Sequence, residues 1–221
     1  MEASNPETST PTIFVIDDDD GVRTGLSRLL RAAGWQVGAF ASADAFLNRP
    51  AYAGTGCVLL DVDMPEINGP RLQEMMLERD IDLPVVFLTG KGDVPTSVQA
   101  MKRGAVDFLL KPVENKALFA AIDMALQRHV SRQAHRLEQH GITTRLDRLS
   151  AREREVMDLV VLGRLNKQIA AELGIAEKTV KVHRGRVMEK MEVRSVAALV
   201  HLLERADDRA ATSDGESPVR R

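Results

Sequence analysis

The first 128 residues alternate short apolar runs with longer segments in which apolar residues recur at helical spacing. Five runs have strand character, at residues 12–17, 36–40, 57–61, 85–89 and 106–110. Helical patterns follow them at residues 21–34, 42–48, 70–80, 93–105 and 114–129. The runs CVLL and VVFL are apolar at every position, as in strands covered on both faces. The pattern predicts five β-α units and an α/β fold whose parallel sheet lies between helices.

After Leu149 the apolar periodicity is helical, with no strand candidate. Ser150 followed by Glu153 is a capping box, which opens a helix. Gly163 and Gly174 are placed to end the first and second of these helices. Two short helices joined by a tight turn that contains Gly are typical of a helix-turn-helix, so a separate all-α domain is predicted. Its four predicted helices cover residues 150–162, 167–173, 177–191 and 195–205.

The linker predicted between these domains is polar, and part of it is expected to continue the fifth helix of the first domain. His129, His135 and His140 occur in it at spacings of six and five, which do not stack on one helical face. We interpret them as solvated residues and not as a metal site. The predicted segments are a disordered N-terminus (1–11), an α/β domain (12–128), the linker (129–148), the helical domain (149–206) and a disordered tail (207–221).

Charge separates the two halves. Residues 1–127 hold 11 Lys and Arg against 18 Asp and Glu, a balance of −7, whereas residues 128–221 hold 19 against 14, a balance of +5. The basic half suits a polyanion such as nucleic acid, although a surplus of this size is also typical of a solvated surface. Cys57 is the only cysteine, which excludes an intrachain disulfide. Because no apolar run approaches the roughly 20 residues of a membrane span, we expect a cytoplasmic protein without membrane contact.

Chemically active side chains stand at the ends of the predicted strands. In an open parallel sheet the carboxyl ends of the strands meet at one rim, beside the point where strand order reverses. Clustered carboxylates there favour Mg²⁺, which prefers oxygen ligands. With Mg²⁺ and an ammonium nearby, Asp61 is the best-placed carboxylate to accept a phosphoryl group. The rim residues are Asp17, Asp18, Asp61, Thr89 and Lys111.

Four segments resemble the signature sequences of the CheY-like receiver domains of response regulators: FVIDDD, LLDVDMPEINGP, VVFLTGKGDVP and AVDFLLKP. The resemblance covers residues 12–128 and implies a flavodoxin-like (βα)5 fold. It implies that Asp61 is the phosphoacceptor, that Thr89 bonds the phosphoryl group and that Lys111 pairs with it. The metal ligands that it implies are Asp18 directly, Asp17 through water, Asp61, and Asp63 through its backbone carbonyl.

The same resemblance implies a switch. Phe108 would turn inward together with Thr89 on activation, and the Lys111-Pro112 peptide bond would be cis, a form that X-Pro bonds adopt far more readily than others. We interpret the neighbouring Asp19 and Asp20 as the cap and first turn of a helix, not as metal ligands. Two departures from the family pattern, Lys91 and the acidic side chain of Asp63, bear on the lifetime of the phosphorylated state.

In the third helix of the C-terminal domain, steps of about 100° divide the residues into two faces. Val180, His183, Val187 and Met191 form a stripe that is predicted to pack inward. The opposite face would enter a major groove and consists of Lys178, Lys181, Val182 and Gly185. Its lysines would contact phosphates or base edges, and its valine would contact a thymine methyl. The predicted phosphate contacts beside that face are Arg184, Arg186, Asn166 and Lys167.

Residues 149–203 resemble the LuxR or NarL-type helix-turn-helix, and together with the receiver they are similar to the FixJ subfamily. Ala176 stands where this family often has a Ser cap, which weakens the start of the recognition helix by about 1 kcal/mol. Gly185 presents no side chain to the groove and costs about 1 kcal/mol against Ala. The family commonly dimerises through its fourth helix, whose apolar residues here are Val196, Leu199, Val200 and Leu203. Most of these side chains must also serve the core of the domain.

These resemblances imply a transcriptional regulator, not an enzyme. A sensor histidine kinase would phosphorylate Asp61, and the phosphorylated protein would form a homodimer, bind promoter DNA and act on RNA polymerase, with activation as the expected output. Two alternatives stay open. DVDMP resembles the Asp-x-Asp motif of haloacid-dehalogenase-like phosphatases, with Asp63 as general acid. The receiver could also be a dimer module that works without phosphorylation.

Overall fold

The computed structural model of the chain describes residues 10–90, 98 and 101–213. The chain divides into two compact units, Met1–Gln133 and Ala134–Arg221. The first holds a five-stranded parallel sheet flanked by helices, and the second is helical. The predicted fold class is thereby confirmed. Most of the helix predicted over residues 93–105 lies outside the described residues, as do Lys91 and most of the predicted N-terminal segment.

The sheet has the strand order β2-β1-β3-β4-β5, and all neighbouring strands are parallel. Strand order reverses between β1 and β3, where Ile16 pairs with Leu60. Residues that follow these two strands therefore meet in the crevice where such sheets bind ligands. The strands are β1 (Thr12–Ile16), β2 (Gln36–Phe40), β3 (Gly56–Asp61), β4 (Val85–Thr89) and β5 (Asp107–Leu110).

Alternate residues of the strands point to opposite faces of the sheet and form two separate cores. Phe14 and Leu60 point to one face, where they pack with Phe46 and Phe87. The core on the opposite face is mainly aliphatic and includes Ile13, and the rings of Trp35 and Phe119 pack against it. The central strands β1, β3 and β4 are buried on both faces, as the uninterrupted apolar runs of β3 and β4 predicted, whereas the edge strands β2 and β5 are partly exposed. The helices that begin in this unit, numbered over the described residues, are α1 (Asp20–Ala32), α2 (Ala43–Leu47), α3 (Gly69–Glu78) and α4 (Asn115–Asp147), and the last 14 residues of α4 belong to the second unit.

Side-chain N-caps stabilise the first turns of the helices that border the crevice. Asp19 caps α1, since its side chain accepts hydrogen bonds from the N–H groups of Gly21 and Val22, as the sequence predicted. Asn68 caps α3 in the same way. A Cβ on Gly69 would lie 2.4 Å from the carbonyl oxygen of Asp61, so any side chain there would push α3 away from β3. Both helices thus start at fixed positions beside the strand ends.

Helix α4 is continuous over 33 residues and includes nearly all of the segment predicted as a polar linker. The interpretation of His129 as a solvated residue is wrong, because its side chain is buried and its Nδ1 accepts a hydrogen bond from the N–H of Gly56 at 3.0 Å. His135 and His140 are exposed. Although α4 exceeds the length of about 20 residues that a bilayer requires, no described helix is apolar enough to cross one.

The second unit is built from α5 (Ala151–Val161), α6 (Asn166–Leu173), α7 (Glu177–Lys190) and α8 (Val196–Ser213). The predicted capping box of Ser150 and Glu153 opens α5, and Gly174 ends α6 with a left-handed φ of 63°. Asn166 is the first residue of α6 and not its cap, which is Leu165. Helix α8 continues to Ser213, so residues 207–213 are helical where the sequence predicted a disordered tail.

A buried ion pair joins the first and third helices of this unit. The Oε2 of Glu153 accepts hydrogen bonds from the Nζ of Lys190 at 2.6 Å and from the N–H of Ser150 at 2.8 Å. These contacts, that of Lys190 first, lower the pKa of Glu153 to about 2. Lys190 also donates to the carbonyl of Arg148 at 3.0 Å. Glu153 therefore fixes the end of α7 against the start of α5.

Replacing Glu153 by Gln is expected to lower the free energy of unfolding of the second unit by about 1–3 kcal/mol at neutral pH, because hydrogen bonds between charged groups are lost. The folded pKa lies below the ordinary value of 4.5, so this stabilisation is complete above that pH and disappears as the pH falls toward 2. Calorimetry of the full chain between pH 7 and pH 3 should show the two proteins converging. Glu155→Gln, at an exposed position, is the control, and a difference that stayed constant with pH would contradict the assignment.

Candidate functional site

Three carboxylates meet at the reversal of strand order. Asp17 follows β1 and Asp61 ends β3, and both are buried, whereas Asp18 is exposed. One oxygen from each lies within 4.8 Å of the others. The N–H of Asp19 donates to Asp17 Oδ1 and that of Asp63 to Asp61 Oδ2, each at 3.0 Å. Backbone donors therefore orient the two buried carboxylates that the sequence placed at this rim.

Lys111 bridges the two buried carboxylates. Its Nζ lies 2.6 Å from Asp17 Oδ2 and 2.6 Å from Asp61 Oδ1. The N–H of Lys111 donates to the carbonyl of Thr89 at 2.7 Å, which ties the end of β5 to the end of β4. The Lys111-Pro112 bond is cis, as the resemblance implied. The chain thus brings one ammonium group between two carboxylates that are distant in sequence.

The pKa values follow from burial and from this bridge. Burial raises the pKa of Asp61, and the Lys111 ammonium and the N–H of Asp63 oppose the rise only in part. Burial lowers the pKa of Lys111, but its hydrogen bonds to Asp17 and Asp61 outweigh that effect, and the pKa is raised overall. Lys111 therefore stays charged and offsets part of the repulsion between the carboxylates.

The residues of this cluster fit a divalent cation. Three carboxylates supply only oxygen ligands, and Asp18 leaves the site open to the solvent that Mg²⁺ retains in its coordination shell. Each carboxylate oxygen can accept more than one contact, so the bridge to Lys111 does not exhaust Asp17 or Asp61. The exposed side chain of Asp63 is not part of the cluster. Its predicted contribution through the backbone carbonyl alone agrees with this placement.

Thr89 and Phe108 lie on the strands next to the acidic cluster. Thr89 is buried at the end of β4, one residue beyond Leu88, which pairs with Asp61. Phe108 of β5 is half-buried, and its ring centroid lies 6.0 Å from that of Phe87. The structure thus places one predicted switch residue at the carboxyl end of a strand and the other in partial contact with the core.

Sequence reasoning missed Arg23. Its Nη1 donates to the carbonyl oxygens of Asp17 at 2.7 Å and Asp18 at 3.3 Å, while its Nη2 pairs with Asp20 at 2.6 Å. The guanidinium therefore fixes the backbone that carries two of the three carboxylates. The spacing of three between Asp20 and Arg23 at the start of a helix was the available signal, but it predicts only a surface ion pair.

A second candidate surface lies on α7. Val180, Val187 and Met191 are buried, and His183 is half-buried. The opposite face is exposed, in agreement with the predicted division of this helix. Ala176 caps the helix without a side-chain hydrogen bond, and a Cβ on Gly185 would meet no atom within 4 Å. The exposed residues of this face are Lys178, Lys181, Val182, Gly185 and Arg186.

Comparison with known families accounts for both surfaces. Residues 13–123 match the response regulator receiver domain, and residues 147–203 match the bacterial regulatory proteins of the luxR family. The chain belongs to the response regulators. The first match contains the acidic cluster and the second contains the exposed face of α7, so this response regulator joins a receiver to a LuxR-type DNA-binding domain.

Relatives resemble this response regulator over both domains. Nodulation protein W of Bradyrhizobium diazoefficiens is 42% identical over 204 residues, 92% of this chain and 90% of that protein. Transcriptional regulatory protein FixJ of the same organism is 42% identical over 194 residues, 88% and 95% of the two chains. The structure of response regulator StyR matches with a TM-score of 0.80 at 47% identity, covering 89% of this chain and 100% of that one. Full-length FixJ from B. japonicum matches with a TM-score of 0.56 at 41% identity, covering 91% and 99%.

In the DNA-binding domain of this response regulator, two residues that were predicted to contact phosphates are hydrogen-bonded to each other. The Nη1 of Arg184 donates to the Oδ1 of Asn166 at 3.1 Å, which links α7 to the start of α6. Arg184 is half-buried, whereas Lys167 is exposed. The amide of Asn166 therefore restricts the guanidinium before any phosphate is bound.

The apolar residues predicted for the dimer surface differ in how deeply they are buried. Leu199 is fully buried in the core of the second unit, so its prediction as an interface residue is corrected: it is a core residue. Val196 and Leu203 pack partly against the same core. Val200 is half-buried. The surface that α8 could offer to a second copy is therefore smaller than the sequence indicated.

Proposed function

We propose that Asp61 of this response regulator accepts a phosphoryl group from a partner histidine kinase. The bridge that Lys111 forms between Asp17 and Asp61 supports this proposal most directly, because it holds an ammonium beside a nucleophilic carboxylate. Asp17, Asp18 and Asp61, with the carbonyl of Asp63, would hold Mg²⁺. When bound, Mg²⁺ would neutralise charge on the phosphoryl oxygens.

In the transfer, an oxygen of Asp61 attacks phosphorus and the bond from phosphorus to the imidazole nitrogen of the kinase breaks. Asp61 must be ionised to attack, and the nearby ammonium favours that form although burial opposes it. The phosphoryl group brings negative charge between the carboxylates, so Lys111 would pair with it. Thr89 would donate its hydroxyl to the same group.

The output would be control of transcription. Thr89 and Phe108 would re-pack after phosphorylation and favour a homodimer, which presents two DNA-binding domains to paired half-sites. The exposed face of α7 would enter the major groove of promoter DNA, and RNA polymerase would be a further partner. Relatives that are named transcriptional regulatory proteins support this output. Binding to promoter DNA would place the protein in the cytoplasm.

The test measures dimerisation and DNA binding with and without a small phosphodonor and Mg²⁺, on a DNA site selected from a random pool. The donor should strengthen DNA binding of the wild type by about 5- to 150-fold, the range of typical allosteric coupling, and leave Asp61→Asn unchanged. Equal strengthening in both proteins would show that Asp61 is not the switch.

Asp63→Asn is the matched control, because its exposed carboxylate is not part of the cluster. It should keep the strengthening of DNA binding by the donor, with a change only in how long the strengthening lasts. Steady hydrolysis of phosphate esters that is lost in Asp63→Asn would instead favour the phosphatase alternative, in which this carboxylate is the general acid.

A further inference from the structure

A basic cleft runs along α1 on the side of β2. Its volume is about 220 Å³. The helix residues of its wall form two adjacent rows at spacings of four, so their side chains share one face of the helix. No acidic residue that the structure describes lines it. The lining residues are Arg23, Thr24, Ser27, Arg28 and Arg31 of α1 and Ala39 of β2.

Two of its three guanidinium groups have no carboxylate partner in the part of the chain that the structure describes. Arg28 and Arg31 are exposed, and neither forms an ion pair there. Elsewhere in the receiver, Arg71, Arg103 and Arg132 each pair with Glu or Asp. Like charges within one cleft repel each other, and a bound anion would remove that repulsion.

The inner wall of the cleft is rigid. The guanidinium of Arg23 is held by two carbonyl oxygens and by the carboxylate of Asp20. Ser27 is buried, and its Oγ donates to the carbonyl of Arg23 at 2.7 Å. Thr24 is exposed at the rim. A ligand would therefore find one wall already ordered, which lowers the entropy lost on binding.

We propose that this cleft binds a small oxyanion, with a phosphate group as the preferred chemistry. The planar guanidinium groups of Arg28 and Arg31 can each donate two parallel hydrogen bonds to a phosphate, and the hydroxyl of Thr24 can donate a further one. The distribution of charge also supports this site. Three of the eleven cationic residues among residues 1–127 lie within residues 23–31, in an otherwise acidic domain. The site is separate from Asp61 and would bind without a divalent cation.

The test titrates the full-length protein with inorganic phosphate in the absence of Mg²⁺, and with chloride at equal ionic strength. Backbone amide signals of residues 23–31 should shift saturably with phosphate and not with chloride. The double variant Arg28→Gln/Arg31→Gln should bind about tenfold or more weakly, as expected when charge-assisted hydrogen bonds are lost. Arg71→Gln, which removes an arginine from another helix, should bind as the wild type does.

Asp61→Asn should also keep its phosphate response, since Asp61 does not line the cleft. Shifts that chloride reproduces, or that survive in the double variant, would overturn the proposal. A parallel titration with hexaglutamate separates a small anion from the carboxylates of a protein partner. Saturation by hexaglutamate but not by phosphate would also overturn the assignment of the cleft to a small anion.

Discussion

Replacing Lys111 by Met is expected to lower the free energy of unfolding of the receiver by about 3 kcal/mol in the absence of divalent cations, the effect of removing one partner from a buried ion pair. Methionine keeps an unbranched apolar stem and removes the charge. Asp17 and Asp61, which are buried and now share no cation, then repel each other. Urea unfolding followed by fluorescence measures the loss, because Trp35, the only tryptophan, lies in the receiver against Phe119.

Two further observations separate this cause from a general packing defect. Mg²⁺ should restore more stability to Lys111→Met than it adds to the wild type, because the variant leaves the cation three carboxylates with no competing ammonium. Without the lysine, the repulsion between the carboxylates raises the pKa of Asp61 further above its value in the unfolded chain. The loss should therefore be present at neutral pH and shrink as the pH falls through this raised pKa.

Lys116→Met is the matched control, because this lysine is exposed on α4 of the same domain. Its stability should stay within about 0.5 kcal/mol of the wild type. If Lys111→Met behaved like this control, with the same response to Mg²⁺, the bridge between the carboxylates would contribute nothing to the receiver and its proposed role in phosphoryl transfer would lose its support.

The site was predictable where chemistry follows directly from strand position. A parallel sheet brings the carboxyl ends of its strands together, so Asp17, Asp61 and Lys111 could be assigned to one rim from the apolar runs that precede them. The capping box of Ser150 and the terminating glycines of the helical domain were predictable for a similar reason, because each depends on residues within one turn of the chain.

Contacts made by side chains across the chain were not predictable. His129 is separated from Gly56 by 73 positions, and no periodic pattern connects a histidine in a polar segment with a backbone N–H at the start of a strand. The pairing of Arg184 with Asn166 depends likewise on how two helices cross. The polar composition of residues 129–148 indicated a linker. However, polar residues also form helices when one side of the helix is exposed to solvent.

Replacing both Lys178 and Lys181 by Gln is expected to weaken DNA binding by about 30-fold, from about 1 kcal/mol for each lost contact. Both lysines are exposed on the face of α7 opposite its buried stripe. Lys181 lies 3.8 Å from Glu177, a surface pair that contributes little to stability, so the fold should be unchanged. The logarithm of the binding constant should fall less steeply with the logarithm of the salt concentration. The magnitude of the slope should be smaller by about 2, since each phosphate contact contributes about 1.

The double variant Lys102→Gln/Lys116→Gln removes the same charge from exposed positions of the receiver and is the control. Because counterion release depends on charges that contact phosphates and not on total charge, this control should keep both the affinity and the salt slope of the wild type. A weaker affinity with an unchanged slope in Lys178→Gln/Lys181→Gln would assign the lysines to base edges instead of phosphates. An equal loss in the control would show that net charge alone attracts the DNA and that α7 does not provide the specific contact surface.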